Sequence, residues 1–178
     1  AGSTVASRRY TALADAELLI QGPARKRRWP LPPLPAGVSP ALLSHVAARR
    51  LNLTPQVAAL GLLQKPDFPH LDIEPLDQGP SACLSSGAAM PLPRVQQLWR
   101  QGERLGRLLK RPLVVAECVP GGTTTAQAVL TALGVEVGHL ISGSALHPPQ
   151  QLKQELVIQG LQRASLGAHP SAEQILAA

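Results

Sequence analysis

The stretch "PLVVAECVPGGTTTAQAVLTALGVEVGHLI", residues 112–141, decides how this chain is read. Its first part, residues 112–119, is an unbroken apolar run, the pattern of a strand buried on both faces. A Gly-Gly turn follows, then a helical pattern that Gly134 ends, then a second apolar run over residues 135–141. Strand, turn, helix and strand make one βαβ unit, which in a parallel sheet crosses over right-handed. The expected fold is therefore α/β: an open, mostly parallel sheet with helices on both faces, Rossmann-like and three-layered, here truncated.

Working outward, the neighbouring segments fit helices that cover such a sheet. Val95, Leu98, Trp99, Gly102, Leu105, Leu108 and Leu109 follow helical spacing between residues 94 and 110, with arginines and glutamines on the other faces. The segment 148–167 opens on two prolines suited to a helix start and places Leu152, Leu156 and either Val157 or Leu161 inward. Nearer the N-terminus, Ser39 and Pro40 have the identities of an N-cap and first helical residue. That helix carries Leu42, Leu43, Val46, Ala47 and Leu51 on its apolar side and ends near Asn52. The run "QVAALGLL", residues 56–63, reads as a buried strand, and a long irregular loop continues from it to residue 91. Residues 25–40 form a basic and proline-rich connector. Asp15 and Glu17 read as acidic residues in the first turn of a helix, where the helix dipole favours them.

Length and composition narrow the function classes. The 178 residues, 44% hydrophobic, suit one α/β domain over 1–178. The chain does not begin with Met and stops inside "SAEQILAA", where Ser171 and Gln174 have the spacing of a capping box. It reads as the N-terminal to central part of a longer chain. No apolar run has the length of a membrane span, so no membrane association is expected. The net charge of +6 owes much to one run, Arg25-Lys26-Arg27-Arg28, and aromatic residues are 2% of the total. Nucleic-acid binders spread basic residues over a face and add stacking aromatics, so the run is read as a solvated loop and no nucleic-acid partner is expected. Cys83 and Cys118 have no metal-ligand spacing and read as reduced thiols of a cytoplasmic protein. No metal site or cofactor is expected.

The chemistry lies in the turn. In open α/β sheets ligands sit beyond the carboxyl ends of the strands, where residues 117–126 fall. Gly121 and Gly122 can take positive φ and turn successive N–H groups toward an anion. Thr123, Thr124 and Thr125 add hydroxyl donors at a helix N-terminus, and a phosphate is the natural guest. The spacing is neither that of a Walker loop nor GxGxxG. A turn that needs its glycines only for sharpness is the alternative reading. Glu117 favours the first: a carboxylate ending a buried strand is costly unless paired or used, for instance on a ribose hydroxyl.

Four segments, "YTALADAELLIQGP", "PLPPLPAGVSPALLSHVA", "PDFPHLDIEPLDQGPSACLSSGAAMPL" and "ECVPGGTTTAQAVLTALG", together resemble the nicotinate-nucleotide:dimethylbenzimidazole phosphoribosyltransferase family, in its archaeal and cyanobacterial branch. The resemblance implies transfer of 5-phosphoribosyl from nicotinate mononucleotide to a benzimidazole-type base, in lower-ligand assembly of cobalamin. It also implies a homodimer and a nucleotide substrate. On the family's pattern, Glu117, Gly121, Gly122, Thr123, Thr124 and Thr125 contact the phosphoribosyl group, and Lys153 resembles a phosphate-contacting lysine. "GPSACLSSGAAMP" looks like the loop bordering the base pocket, with Ser81, Ser85 and Ser86 as contacts. The family's catalytic glutamate belongs beyond Ala178, so no catalytic residue is assigned within this fragment. Where the family usually has Asp-Ala-Gly, this chain has Ala59-Leu60-Gly61. That departure leaves a second reading open, a noncatalytic nucleotide- or phosphate-binding protein.

Overall fold

Tyr10 and Trp29 stack with ring centroids 5.8 Å apart, and Trp29 joins Leu13 and Ala14 in a small core against which Tyr10, Leu31 and Leu62 pack. This comes from a computed structural model that describes residues 5–23, 26–31, 39–143 and 147–178. Contacts divide it into two units, one of residues 3–80 with 117–120, the other of residues 81–116 with 121–178.

The first unit opens with α1, Val5–Gln21. Asp15 and Glu17 lie well inside this helix, not in its first turn as the sequence suggested. Glu17 is buried at 6% exposure and accepts the backbone N–H groups of Arg28 at 3.1 Å and Trp29 at 3.2 Å. It thereby fixes the returning chain onto α1. Arg28 pairs with Asp67 at 2.7 Å in a solvent-exposed ion pair; Arg25 and most of the proline-rich connector lie outside the described residues.

Helix α2, Pro40–Arg50, begins as its sequence predicts: Ser39 Oγ accepts the Ala41 N–H at 3.2 Å, and Pro40 is the first helical residue. It ends at Leu51, with Asn52 at φ 57°. Its buried face differs from expectation, because His45 turns inward while Leu43, Val46 and Leu51 are exposed. His45 Nδ1 lies 2.9 Å from the Leu19 carbonyl, and the ring lies under Gly22. Gly22 has φ 76°, and a Cβ there would meet His45 Nε2 at 2.6 Å, so both backbone and space require glycine.

Strand β1, Ala58–Ala59, pairs in parallel with β2, Leu71–Asp72, in the register Ala58 to Leu71 and Ala59 to Asp72. The expected strand over 56–63 is thus present but short. The segment that followed as irregular loop contains β2, the buried Phe68 and two short 3₁₀ turns, Leu76–Gln78 and Leu84–Ser86.

The second unit holds α3 (Leu92–Leu108), α4 (Gly122–Ala132), α5 (Gln150–Ala164) and α6 (Ala172–Ala177). Helix α6 carries the capping box foreseen at Ser171 and Gln174. The main chain of Ala89 and Met90 donates to the carbonyls of Ala178 and Ala177, both at 3.0 Å. Helix α5 turns Lys153, Val157 and Gly160 inward, whereas Leu152 is 41% exposed, so the inward face is rotated from the one the leucines suggested. Gly160 permits close approach, since a Cβ there would sit 2.5 Å from the Leu84 carbonyl oxygen.

The larger departure concerns the sheet. Residues 112–119 form no strand and are exposed, and residues 135–141 hold only the 3₁₀ turn Gly138–Leu140. Among the described residues the sheet is the β1–β2 pair alone, so the structure is α/β and mostly helical, without the open, mostly parallel Rossmann-like sheet. The expected βαβ unit supplies its helix, α4, but neither flanking strand. A strand is defined by ladder partners, and none reaches these runs among the described residues.

Candidate functional site

Gly121 makes the turn into α4, in the left-handed conformation at φ 82° and ψ 7°. A residue with a Cβ is strained there, which accounts for glycine. Gly122, by contrast, is the first helical residue and is buried, so only one of the two glycines expected at positive φ adopts it. The Gly121 carbonyl accepts the N–H groups of Thr124 at 3.0 Å and Thr125 at 3.4 Å. The N–H groups of Gly122 and Thr123 meet no main-chain carbonyl among the described residues, as the first donors of a helix do.

The three threonines part company. Thr124 is 1% exposed and packs into the unit, while Thr125 is exposed. Thr123 Oγ1 lies 3.2 Å from Lys153 Nζ, which brings the α4 N-terminus and the predicted phosphate lysine together. Lys153 also donates to the Ser142 carbonyl and passes close to Gly143, where a Cβ would stand 3.2 Å from Nζ. The residue is 3% exposed, and burial holds its pKa below the usual lysine range. Among the described residues no carboxylate pairs with its ammonium. A buried cation beside a helix N-terminus therefore has hydroxyl and carbonyl company but no counter-charge, an arrangement suited to an anion.

Sequence reasoning missed the seam behind this corner. Gln127 Nε2 donates to Gln154 Oε1 at 2.8 Å, joining α4 to α5, while Gln127 Oε1 is buried without a partner. Helical spacing from Thr123 to Gln127 was the available signal, since it puts both on one face.

The other expected residues fall elsewhere. Ser85 and Ser86 lie in the turn that packs on the C-terminal half of α5, whereas Lys153 sits near its start. Their polar groups have local partners: Ser85 O accepts Arg163 Nη1 at 2.9 Å, Ser85 Oγ is 3.1 Å from Cys83 Sγ, and Ser86 Oγ accepts the Ala88 N–H at 3.2 Å. Ser81 is exposed. Glu117 is exposed and groups with the first unit. In that unit Cys118 Sγ donates to Asp15 Oδ2 at 3.0 Å, and Ser39 Oγ donates to Asp15 Oδ1 at 2.6 Å. Desolvation first, then this hydrogen bond and the Asp15 and Glu117 charges, push the Cys118 thiol above its usual range. Neither cysteine is joined in a disulfide. Beside the strand end where the resembled family has its aspartate, Glu74 Oε1 accepts the Gly61 N–H at 2.8 Å.

Among the described residues no cluster of His, Cys, Asp or Glu is gathered to hold a metal ion, and no helix is long and apolar enough to cross a membrane.

No family model matches the chain. Over all of its 178 residues it is 66% identical to a UPF0284 protein of Parasynechococcus marenigrum (strain WH8102) and 61% identical to one of Prochlorococcus marinus (strain MIT 9313). It is 39% identical, over an alignment of 170 residues that covers 92% of the chain, to a UPF0284 protein of Crocosphaera subtropica (strain ATCC 51142 / BH68). The chain spans 45%, 44% and 45% of those three proteins. These relatives share one family designation, and the chain is homologous along its whole length to rather less than half of a UPF0284 protein.

Proposed function

We propose that the chain carries the phosphate-binding portion of a phosphoribosyltransferase that moves 5-phosphoribosyl from nicotinate mononucleotide to a benzimidazole-type base, in assembly of the lower ligand of cobalamin. The observation that carries this reading is the buried, uncompensated Lys153 ammonium 3.2 Å from Thr123 Oγ1 at the start of α4. As nicotinate leaves, C1′ gains oxocarbenium character, and a firmly held 5′-phosphate fixes that carbon opposite the incoming nitrogen. Lys153 supplies charge, Thr123 a hydroxyl, and Gly122 and Thr123 their N–H groups. The helix end adds about 0.5–2 kcal/mol, so the hydrogen bonds must act together. The base that deprotonates the acceptor is assigned to the part of the protein outside these residues. The reading includes a cytoplasmic homodimer with no cofactor.

The second reading, a noncatalytic nucleotide-binding protein, draws on Ala59, which stands where the resembled family has the aspartate of its Asp-Ala-Gly segment. Incubating the full-length protein with nicotinate mononucleotide and a panel of bases separates the two. Base-dependent release of nicotinate supports the transferase; nucleotide binding with no release for any base supports the second reading.

A further inference from the structure

The apolar run between α3 and the Gly121 turn points to a different conclusion, independent of the phosphoribosyl reading. Leu113, Val114 and Val115 are 60%, 90% and 82% exposed, and α3 leads into them with Leu105, Leu108 and Leu109 at 41%, 74% and 49%. Residues 112–116 join no sheet. Val114 and Val115 are adjacent and both bare, and as successive residues of a strand they would point to opposite faces, so cover would be wanted on both. Such a run, low in charge and rich in β-branched residues, is the composition of a strand buried on both sides and a poor one for a solvated loop. Left in water it would template aggregation.

We propose that residues 112–116 form an interior strand whose neighbouring strands and covering layer come from the part of the same polypeptide that these 178 residues do not span. Room for such a partner is given by the relatives: the whole chain matches them, yet covers only 45% and 44% of their length. A second copy of the chain fits less well. Two-fold symmetric pairing of this strand with itself would be antiparallel, would cover one edge, and would leave both side-chain faces bare.

Hydrogen exchange on the full-length protein tests this, read on a peptide spanning residues 112–116 over a range of protein concentrations. The expected result is exchange slowed roughly a hundredfold or more against an unstructured peptide of the same sequence, independent of concentration. Exchange at the unstructured rate overturns the proposal, and so does protection that disappears on dilution, which would assign the surface to a second copy. Val114→Asp and Val115→Asp in the full-length protein provide a separate reading. Each is expected to lower Tm by about 5 °C or more, or to prevent folding. A Tm unchanged in either variant means one bare face and contradicts an interior strand.

Discussion

Lys153 Nζ and Thr123 Oγ1 stand 3.2 Å apart, joining residues from two helices at the point where α4 begins. The contact is a hydrogen bond between a cation and a neutral hydroxyl, so it leaves the lysine charge uncompensated. Such a contact adds little to stability, and the proposed phosphate would supply the missing counter-charge.

Lys153→Met tests which of these it is. Removing a buried cation that has no counter-charge is expected to leave stability within about 1 kcal/mol of wild type or to raise it. Denaturant unfolding of the full-length protein checks this; a loss beyond about 3 kcal/mol would make Lys153 a structural residue.

Binding of a phosphate ligand should weaken as pH rises. Burial lowers the Lys153 pKa in the folded, unliganded protein, and a bound dianion favours the ammonium. Affinity is expected to be level below that pKa and to fall by up to about tenfold per pH unit above it. The same shift predicts that Lys153 makes folding more favourable as pH climbs from its folded pKa to its unfolded value, because the unfolded chain then binds more protons. Titrations between about pH 7 and 10 on wild type and Lys153→Arg check the assignment, since the guanidinium does not titrate there.

Glu17→Gln should cost about 1–3 kcal/mol. The carboxylate offers two oxygens to the N–H groups of Arg28 and Trp29, and an amide keeps only one acceptor. The exposed Glu103→Gln serves as the control and is expected to stay within about 0.5 kcal/mol.

Cys118 is expected to alkylate at least about tenfold more slowly than Cys83. Desolvation and its hydrogen bond to Asp15 hold it as the thiol. Asp15→Asn should narrow the gap; equal rates in wild type would contradict the hydrogen-bonded thiol.

What could be read in advance was local. Ser39 with Pro40, Gly134 at φ 80° after α4, and the Ser171–Gln174 capping box each act within a few residues, so their identities suffice. The Lys153–Thr123 meeting was reached through a resemblance, because helical spacing alone pointed Leu152 inward. Glu17 was misread, and His45 passed over, for the same reason: their partners, at residues 28, 29 and 19, are distant in sequence or lie on another helix. The strands at 112–119 and 135–141 depend on ladder partners that no local pattern can supply, and apolar composition records only that such partners are wanted.

The most direct measurement is calorimetric titration of the full-length protein, wild type and Lys153→Met, with nicotinate mononucleotide and with the riboside that lacks its phosphate. The account predicts that wild type prefers the nucleotide by at least about a hundredfold, roughly 2.7 kcal/mol, and that the substitution removes at least tenfold of that preference while leaving riboside binding unchanged. Equal affinity for the two compounds in wild type, or a preference that survives Lys153→Met intact, would contradict it.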